Sequence, residues 1–202
     1  MTAEIVIIIS TLILSAFFSG MEIAYVSANK IHIELEKKQG DFLGKILGKL
    51  TARPSKYIAT MLIGNNIALV IYGFKMGDVL VRWFQSMLPS DSTTLTYLIT
   101  DLQLLTQTVI STLVILITAE FLPKVFFQIY ANSLLKILAF PTYVFYVLFS
   151  WISDFVIWIS DAVLKYIFKA EGEDVVLAMT KVELGNYISE QMESVEDYEE
   201  VD

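Results

Sequence analysis

Four long stretches without a charged residue limit most strongly what this chain can fold into. They are residues 5–21, 57–74, 102–119 and 137–153, each of 17 or 18 residues. A helix needs roughly 17–25 mostly apolar residues to cross the hydrocarbon core of a bilayer. Because 55% of the chain is hydrophobic and its mean hydropathy is +0.62, we expect an all-α membrane protein.

The distribution of positive charge predicts the orientation of the spans. The first connection carries seven lysines and arginines, against Lys75 and Arg82 in the second. By the positive-inside rule the first connection is cytoplasmic and the N-terminus lies outside. Glu4 without a preceding cation is wrong for a signal peptide, so the first span is retained. We expect a multi-pass protein of the cell membrane with its C-terminus in the cytoplasm.

The fourth stretch differs from the other three. Pro141 interrupts it near its start, Asp154 and Asp161 share a helix face after it, and Trp151 and Trp158 repeat at the spacing of an interfacial helix. We therefore expect three spans followed by a bent pair of helices lying along the cytoplasmic interface. An ordinary fourth span is the alternative.

Residues 30–50 are predicted to form an interfacial helix on anionic lipid, with lysines on its polar face. A soluble helical hairpin broken near Gly40 is the alternative. Residues 88–100 are rich in Ser, Thr, Asp and Pro, which indicates an outside loop. The acidic residues 171–202 contain a capping-box pattern and a short predicted helix at 180–192. We divide the chain into a transmembrane domain with its juxtamembrane belt, residues 1–170, and an acidic cytoplasmic helical segment, residues 171–202.

Polar residues interrupt the spans in three places. In order along the chain they are Ser19, Gly20 and Glu22; then Gly64, Asn65 and Asn66; then Glu120, Pro123 and Lys124. Such groups at membrane depth are costly and usually face a bundle interior. We expect the three clusters to converge in the inner half or the middle of the bilayer.

The atoms that these clusters offer are almost all oxygens. Pro123 cannot donate a hydrogen bond to the carbonyl of Ala119, four residues back, so a main-chain oxygen is left beside the Glu120 carboxylate. Hydroxyl, amide, carboxylate and carbonyl oxygens suit hard cations such as Mg²⁺ and Ca²⁺. The chain has no cysteine and only one histidine, His32, which disfavours zinc or copper. The sequence therefore indicates a site for a hard cation, with Gly20 and Pro123 predicted to break their helices.

Each cluster also has a simpler interpretation. Ser and Gly in a span often serve close helix packing, and Asn residues often hydrogen-bond between helices. Glu120 and Lys124 have the spacing of an ion pair within one helix, and Glu22 can pair with Lys124 without touching a metal.

The motifs FFSGMEIAYVSANK, LIGNN and AEFLPK resemble those of the CNNM/CorC (CorB) magnesium transporters, in the same order and with similar spacing over roughly residues 1–170. The resemblance implies a homodimer with three spans per subunit and a cytoplasmic belt, followed by CBS domains that bind ATP with Mg²⁺. We expect this chain to end before those domains.

The resemblance also implies a dehydrated Mg²⁺ held by Ser19, Asn65, Asn66, Glu120 and main-chain carbonyls. Gly20 and Ala119 are expected to contribute at the same site, and Glu22, Gly64, Pro123 and Lys124 are expected to act in gating or electrostatics. Two positions depart from the family pattern. Met21 stands where a small or polar residue is common, and Ala119 replaces a glycine.

The sequence thus predicts Mg²⁺ transport, in the direction of efflux, with Na⁺ entry as a candidate driving force. No phosphate-binding glycine loop, zinc-protease motif or catalytic triad points to an enzyme. The expected partners are a second copy of the chain, the bilayer and its own CBS domains, with no nucleic acid. The alternative is a membrane anchor or Mg²⁺-sensing scaffold that transports nothing.

Overall fold

Three long helices dominate the structure, a computed structural model that describes residues 2–86 and 103–168. Within these ranges, three segments are long and apolar enough to cross a membrane: Thr2–Ser27, Pro54–Phe84 and Leu104–Ile129. The prediction of an all-α protein with three spans is confirmed. Each span is longer than its uncharged stretch, because charged residues such as Glu22 and Lys75 lie inside the helices and not at their ends.

Within each described range the helices follow one another with short breaks, and no strand occurs in either range. They are α1 (Thr2–Ser27), α2 (Lys30–Gln39), α3 (Phe42–Thr51), α4 (Pro54–Ser86), α5 (Gln103–Ile115), a π-helical segment (Leu116–Phe121), α6 (Leu122–Ile129), α7 (Ala131–Ile137), α8 (Ala139–Leu148), α9 (Ser150–Val163) and a second π-helical segment (Leu164–Phe168). The part up to Asp154 forms one unit and the part from Phe155 belongs to another.

Contacts between the spans define their relative direction. Along α1 and α4, an ion pair joins Glu4 to Arg82 at one end, and the Tyr57 hydroxyl donates to the Met21 carbonyl at the other. These two helices are therefore antiparallel. Helix α5 is antiparallel to α4 in turn, since the Tyr72 hydroxyl donates to the Ser111 carbonyl, while Gly77, further along α4, lies against Gln107, earlier on α5.

The connection between the first two spans is two helices, so the prediction of one helix over residues 30–50 is wrong. Gly40 ends α2 with a positive φ of 71°, a conformation that glycine adopts without strain. Asp41 then caps α3 by accepting a hydrogen bond from the Gly44 amide. The break near Gly40 that belonged to the alternative interpretation is what the structure contains.

Helix α2 is attached to α7 through a buried acid. Glu36 is buried and forms an ion pair with Lys136. Its carboxylate raises the pKa of the Lys136 ammonium, because a hydrogen bond to the charged form favours that form.

The fourth apolar stretch is bent, as expected. Helices α7 and α8 meet at Leu138 with an angle of 64° between them, and Pro141 lies in the first turn of α8. The pair would count as a fourth span only if it crosses as one broken helix. The predicted outside loop, the tail helix at 180–192 and the segment 171–202 lie outside the described residues.

Candidate cation site

A buried hydrogen bond connects the first two spans at the centre of the predicted site. The Ser15 hydroxyl donates to Oδ1 of Asn65 at 2.6 Å. Both residues are buried. Asn65 therefore lies in the interior between α1 and α4, as expected of a candidate ligand. Its carbonyl oxygen, however, already has a partner that the sequence did not suggest.

Ser19 lies one turn further along α1, on the same face as Ser15. It is fully buried, and its Oγ makes no hydrogen bond within the described part of the chain. A hydroxyl on a helix normally finds the carbonyl three or four residues back, as Thr11 does with Ile7 and Ile8. Leaving a buried hydroxyl without a partner costs on the order of 1–3 kcal/mol. This oxygen is thus buried and available to a ligand.

The prediction that Gly20 breaks the first span is wrong, because α1 continues through it to Ser27. A Cβ at position 20 would lie 2.5 Å from the Phe127 ring on α6. Gly64 has the same relation to α1, since a Cβ there would lie 2.5 Å from the Phe18 ring. Both glycines therefore allow close approach between spans, as small residues do at helix interfaces in membranes.

The two asparagines of the second span do point in different directions. Asn66 is exposed at the surface of this single chain, and its Nδ2 donates to the Leu62 carbonyl of its own helix. Its Oδ1 is the end of the amide that can meet another group. The structure does not bring Asn66 to Ser15 or Ser19.

The third cluster lies where the third span departs from regular α-helix. Residues Leu116–Phe121 form a π-helical segment that contains Ala119 and Glu120, and Pro123 lies in the first turn of α6. The departure therefore begins before Pro123 and not at it. Since a proline has no amide hydrogen, the Ala119 carbonyl loses its α-helical donor. Single π-helical turns inside α-helices are frequent at functional sites.

Charged groups gather next to this segment. The Lys124 ammonium lies 3.2 Å from Oε2 of Glu120, and both side chains are partly exposed. Glu22 on α1 is within electrostatic range of both charges. The ion pair that formed the alternative interpretation of Glu120 and Lys124 is present, and Glu22 belongs to the same charged group.

The register of the spans brings the three clusters to a similar level. Ser15 pairs with Asn65 and the Phe18 ring covers Gly64, so Ser19 lies about one turn from Asn65. Tyr72 on α4 contacts Ser111 on the third span. Glu120 lies nine residues after Ser111, and the residue nine positions before Tyr72 is Ile63, next to Gly64.

The described residues contain no group of three or more His, Cys, Asp or Glu side chains that could hold a metal ion.

Two functional candidates were missed from the sequence. Ser15 belongs to none of the motifs, and the only sequence feature that points to it is its position one turn before Ser19. Tyr57 is fully buried and donates to the Met21 carbonyl at 3.1 Å. A buried tyrosine hydroxyl needs an acceptor, but the sequence does not reveal which helix supplies it.

Comparison with known proteins agrees with this architecture. The model of the family described as CNNM, "Cyclin M transmembrane N-terminal domain", matches residues 5–200. The chain is 25% identical over 186 residues to the UPF0053 inner membrane protein YfjD of Escherichia coli (strain K12), an alignment that covers 90% of this chain and 39% of that protein. It is 33% identical over 70 residues to the UPF0053 protein sll0260 of Synechocystis sp. (strain ATCC 27184 / PCC 6803 / Kazusa), covering 35% of this chain and 16% of that protein. The chain thus spans well under half the length of these relatives.

Proposed function

Because this chain belongs to the cyclin M transmembrane domain family, we propose that it carries Mg²⁺ across the membrane through a site of protein oxygens. Family membership suggests membrane transport or a Mg²⁺-related role. The finer proposal is efflux of the ion, with Na⁺ entry as the driving force. Mg²⁺ is the substrate in this proposal, and ATP with Mg²⁺ would concern only CBS domains in a longer protein.

The observation that carries the proposal is the Ser19 hydroxyl, which is buried between spans without a hydrogen-bond partner among the described residues. Asn65 lies about one turn away and the π-helical segment with Glu120 lies at a similar level. Carbonyl, hydroxyl and carboxylate oxygens are the ligands that Mg²⁺ accepts. We assign Ser19, Asn65 and Glu120 to the ion, with the carbonyl of Ala119 as a further oxygen.

The neighbouring charges suggest how entry to this site is controlled. Mg²⁺ brings two positive charges to a site where Lys124 already neutralises Glu120. If the lysine moves away as the ion arrives, the carboxylate exchanges one cation for another and is never left unpaired at membrane depth. An ionised Glu22, within electrostatic range of both side chains, would supply the second negative charge that a divalent ion needs once Lys124 has moved away.

The partial exposure of polar groups on the second and third spans supports a homodimer. Asn66 and Lys124 are each open at the surface of a single chain although they lie within spans. Polar groups at that depth face a bundle interior or a water-filled cavity. A second copy of the chain would supply such an interior. In the bilayer we orient the N-terminus outside and the connection formed by α2 and α3 in the cytoplasm.

The proposal is tested by flux of Mg²⁺ into liposomes that contain the purified full chain and an enclosed Mg²⁺-sensitive dye. Ser19→Ala should lower the initial rate about tenfold or more, equivalent to ~1.4 kcal/mol of lost stabilisation. Ser10→Ala makes the same change on an exposed face of the same helix and should leave the rate unchanged. Equal rates for both variants would contradict the assignment of Ser19.

A second candidate is a membrane anchor or Mg²⁺-sensing scaffold. It is favoured by two contacts that need no cation: the hydrogen bond between Ser15 and Asn65 can simply hold two spans together, and the ion pair of Glu120 with Lys124 can simply stabilise the third span. It predicts that Asn66→Ala and Glu120→Ala lower dimer stability while flux stays at the level of protein-free liposomes. A flux that depends on Ser19 excludes it.

A further inference from the structure

Helices α3 and α8 form an exposed surface that combines aromatic rings with lysines. The rings of Phe42 and Phe140 lie 6.2 Å apart, and these side chains are 67% and 53% exposed. The Lys49 ammonium lies 5.4 Å from the centre of the Tyr143 ring, and Lys45 is exposed between Phe42 and Lys49 on α3. We call these five residues the α3–α8 face.

The position of this face is that of a membrane surface. Helix α3 ends at Thr51, and the second span begins at Pro54, so Lys49 is only a few residues from a helix that enters the bilayer. Aromatic rings and lysines are the residues that anchor proteins at the level of lipid headgroups. Two adjacent phenylalanines that are mostly exposed would be unusual on a surface that faces only water.

The net charge of the connection between the first two spans decides which kind of lipid suits the α3–α8 face. Each of its three acids has a partner within the chain: Glu34 pairs with Lys37, Glu36 pairs with Lys136, and Asp41 accepts a hydrogen bond from the Gly44 amide. Among the described residues, no carboxylate lies within ion-pair distance of Lys45 or Lys49. The positive charge of the α3–α8 face is therefore not neutralised by the described part of the chain.

From this geometry we propose that the α3–α8 face binds anionic phospholipid. The Lys45 and Lys49 ammonium groups contact the phosphates, and the Phe42 and Phe140 rings enter the upper acyl region between them. The surface thus selects anionic over zwitterionic lipid and fixes the angle at which α3 meets α4. It does so whether or not the chain transports Mg²⁺.

The test uses a tryptophan placed at the centre of the face. Phe42→Trp is made in the full chain after its own tryptophans, Trp83, Trp151 and Trp158, are replaced by Phe. The protein is reconstituted into phosphatidylcholine vesicles that contain 25 mol% of brominated phosphatidylglycerol or, in parallel, brominated phosphatidylcholine. Bromine quenches the indole on contact, so the ratio of the two quenching efficiencies measures local enrichment of the anionic lipid.

We expect several-fold stronger quenching by the brominated anionic lipid, and this excess should decrease as salt is raised because exposed charges are screened. Adding Lys45→Gln and Lys49→Gln should bring the ratio of the two quenching efficiencies close to one, since these two lysines supply the attraction to the anionic headgroups. Lys45→Arg with Lys49→Arg should keep the enrichment, and so should Lys75→Gln, which removes a cation from the C-terminal half of α4.

Three results would overturn the proposal. Equal quenching by the two lipids would show that the face enters the bilayer without selecting charge. Quenching that is weak with both lipids, and that becomes stronger when the protein is diluted into excess lipid, would show that a second copy covers the face. Weak quenching at every dilution would show that a segment of the same chain covers it.

Discussion

The Ser15 hydroxyl of the first span donates to Oδ1 of Asn65 in the second, at 2.6 Å and out of contact with solvent. The bond fixes the orientation of the amide that is the best-placed oxygen donor of the second span. If Asn65 is a ligand, as we propose, the cation must share this oxygen with the Ser15 hydroxyl or displace that hydroxyl, because an amide oxygen has two lone pairs.

Ser15→Ala should destabilise the chain by about 1 kcal/mol, because it removes a hydrogen bond between spans and leaves a buried amide oxygen without a donor. The free energy of unfolding in mixed micelles measures this effect. Ser10→Ala, on the exposed face of α1, should cost close to nothing.

A double-mutant cycle identifies the partner of Ser15. In an Asn65→Leu background, Ser15→Ala should cost much less than in the wild type, because the acceptor is already absent. If the cost is the same in both backgrounds, Ser15 stabilises the chain through some contact other than Asn65.

The glycines of the second span provide a comparison within one helix. Gly64→Ala places a methyl group 2.5 Å from the Phe18 ring, whereas a Cβ at Gly73 meets nothing within 4 Å. Gly64→Ala should therefore destabilise the chain by about 1–3 kcal/mol, the usual cost of overpacking. Gly73→Ala should be neutral or stabilising, since alanine is the better helix former.

Thermal unfolding in detergent, followed by circular dichroism, measures both glycine variants. Phe18→Leu should recover part of the loss caused by Gly64→Ala, because a smaller and more flexible side chain gives way to the methyl group. Destabilisation of equal size at positions 64 and 73 would mean that backbone effects, and not the contact with Phe18, determine the result.

The positions of the polar clusters and the number of spans could be predicted from the sequence because both depend on local composition. The contacts could not. Ser15 meets Asn65 only because Gly64 lets the Phe18 ring approach and thereby sets the register of α1 against α4. A similar contact explains Gly20, whose position in the sequence suggested a helix break: it lets α1 approach the Phe127 ring closely.

Polar contacts between distant segments were equally hidden. From the sequence, Lys56 indicates only a cytoplasmic cation, and Asp154 indicates only an acid of an interfacial helix. In the structure they form an ion pair at 2.7 Å across 98 positions of sequence. A net charge count places such residues near a membrane surface but cannot identify their partners, because the partner depends on how the bent pair α7–α8 folds back.

The ion pair of Lys56 and Asp154 leads to the last prediction. The Lys56 ammonium is largely buried; it also donates to the Ser150 hydroxyl and lies 5.6 Å from the centre of the Tyr146 ring. Asp154→Ala leaves a buried ammonium without its anion and should destabilise the chain by about 1–2 kcal/mol, less than for a fully buried pair because Asp154 is half exposed. Lys56→Met with Asp154→Ala should recover most of that loss, since no buried charge then remains.

Asp161→Ala removes an exposed acid from the same helix and should change the free energy of unfolding by less than about 0.5 kcal/mol. A double variant less stable than Asp154→Ala alone would show that Lys56 acts mainly through Ser150 and Tyr146 and not through its charge partner.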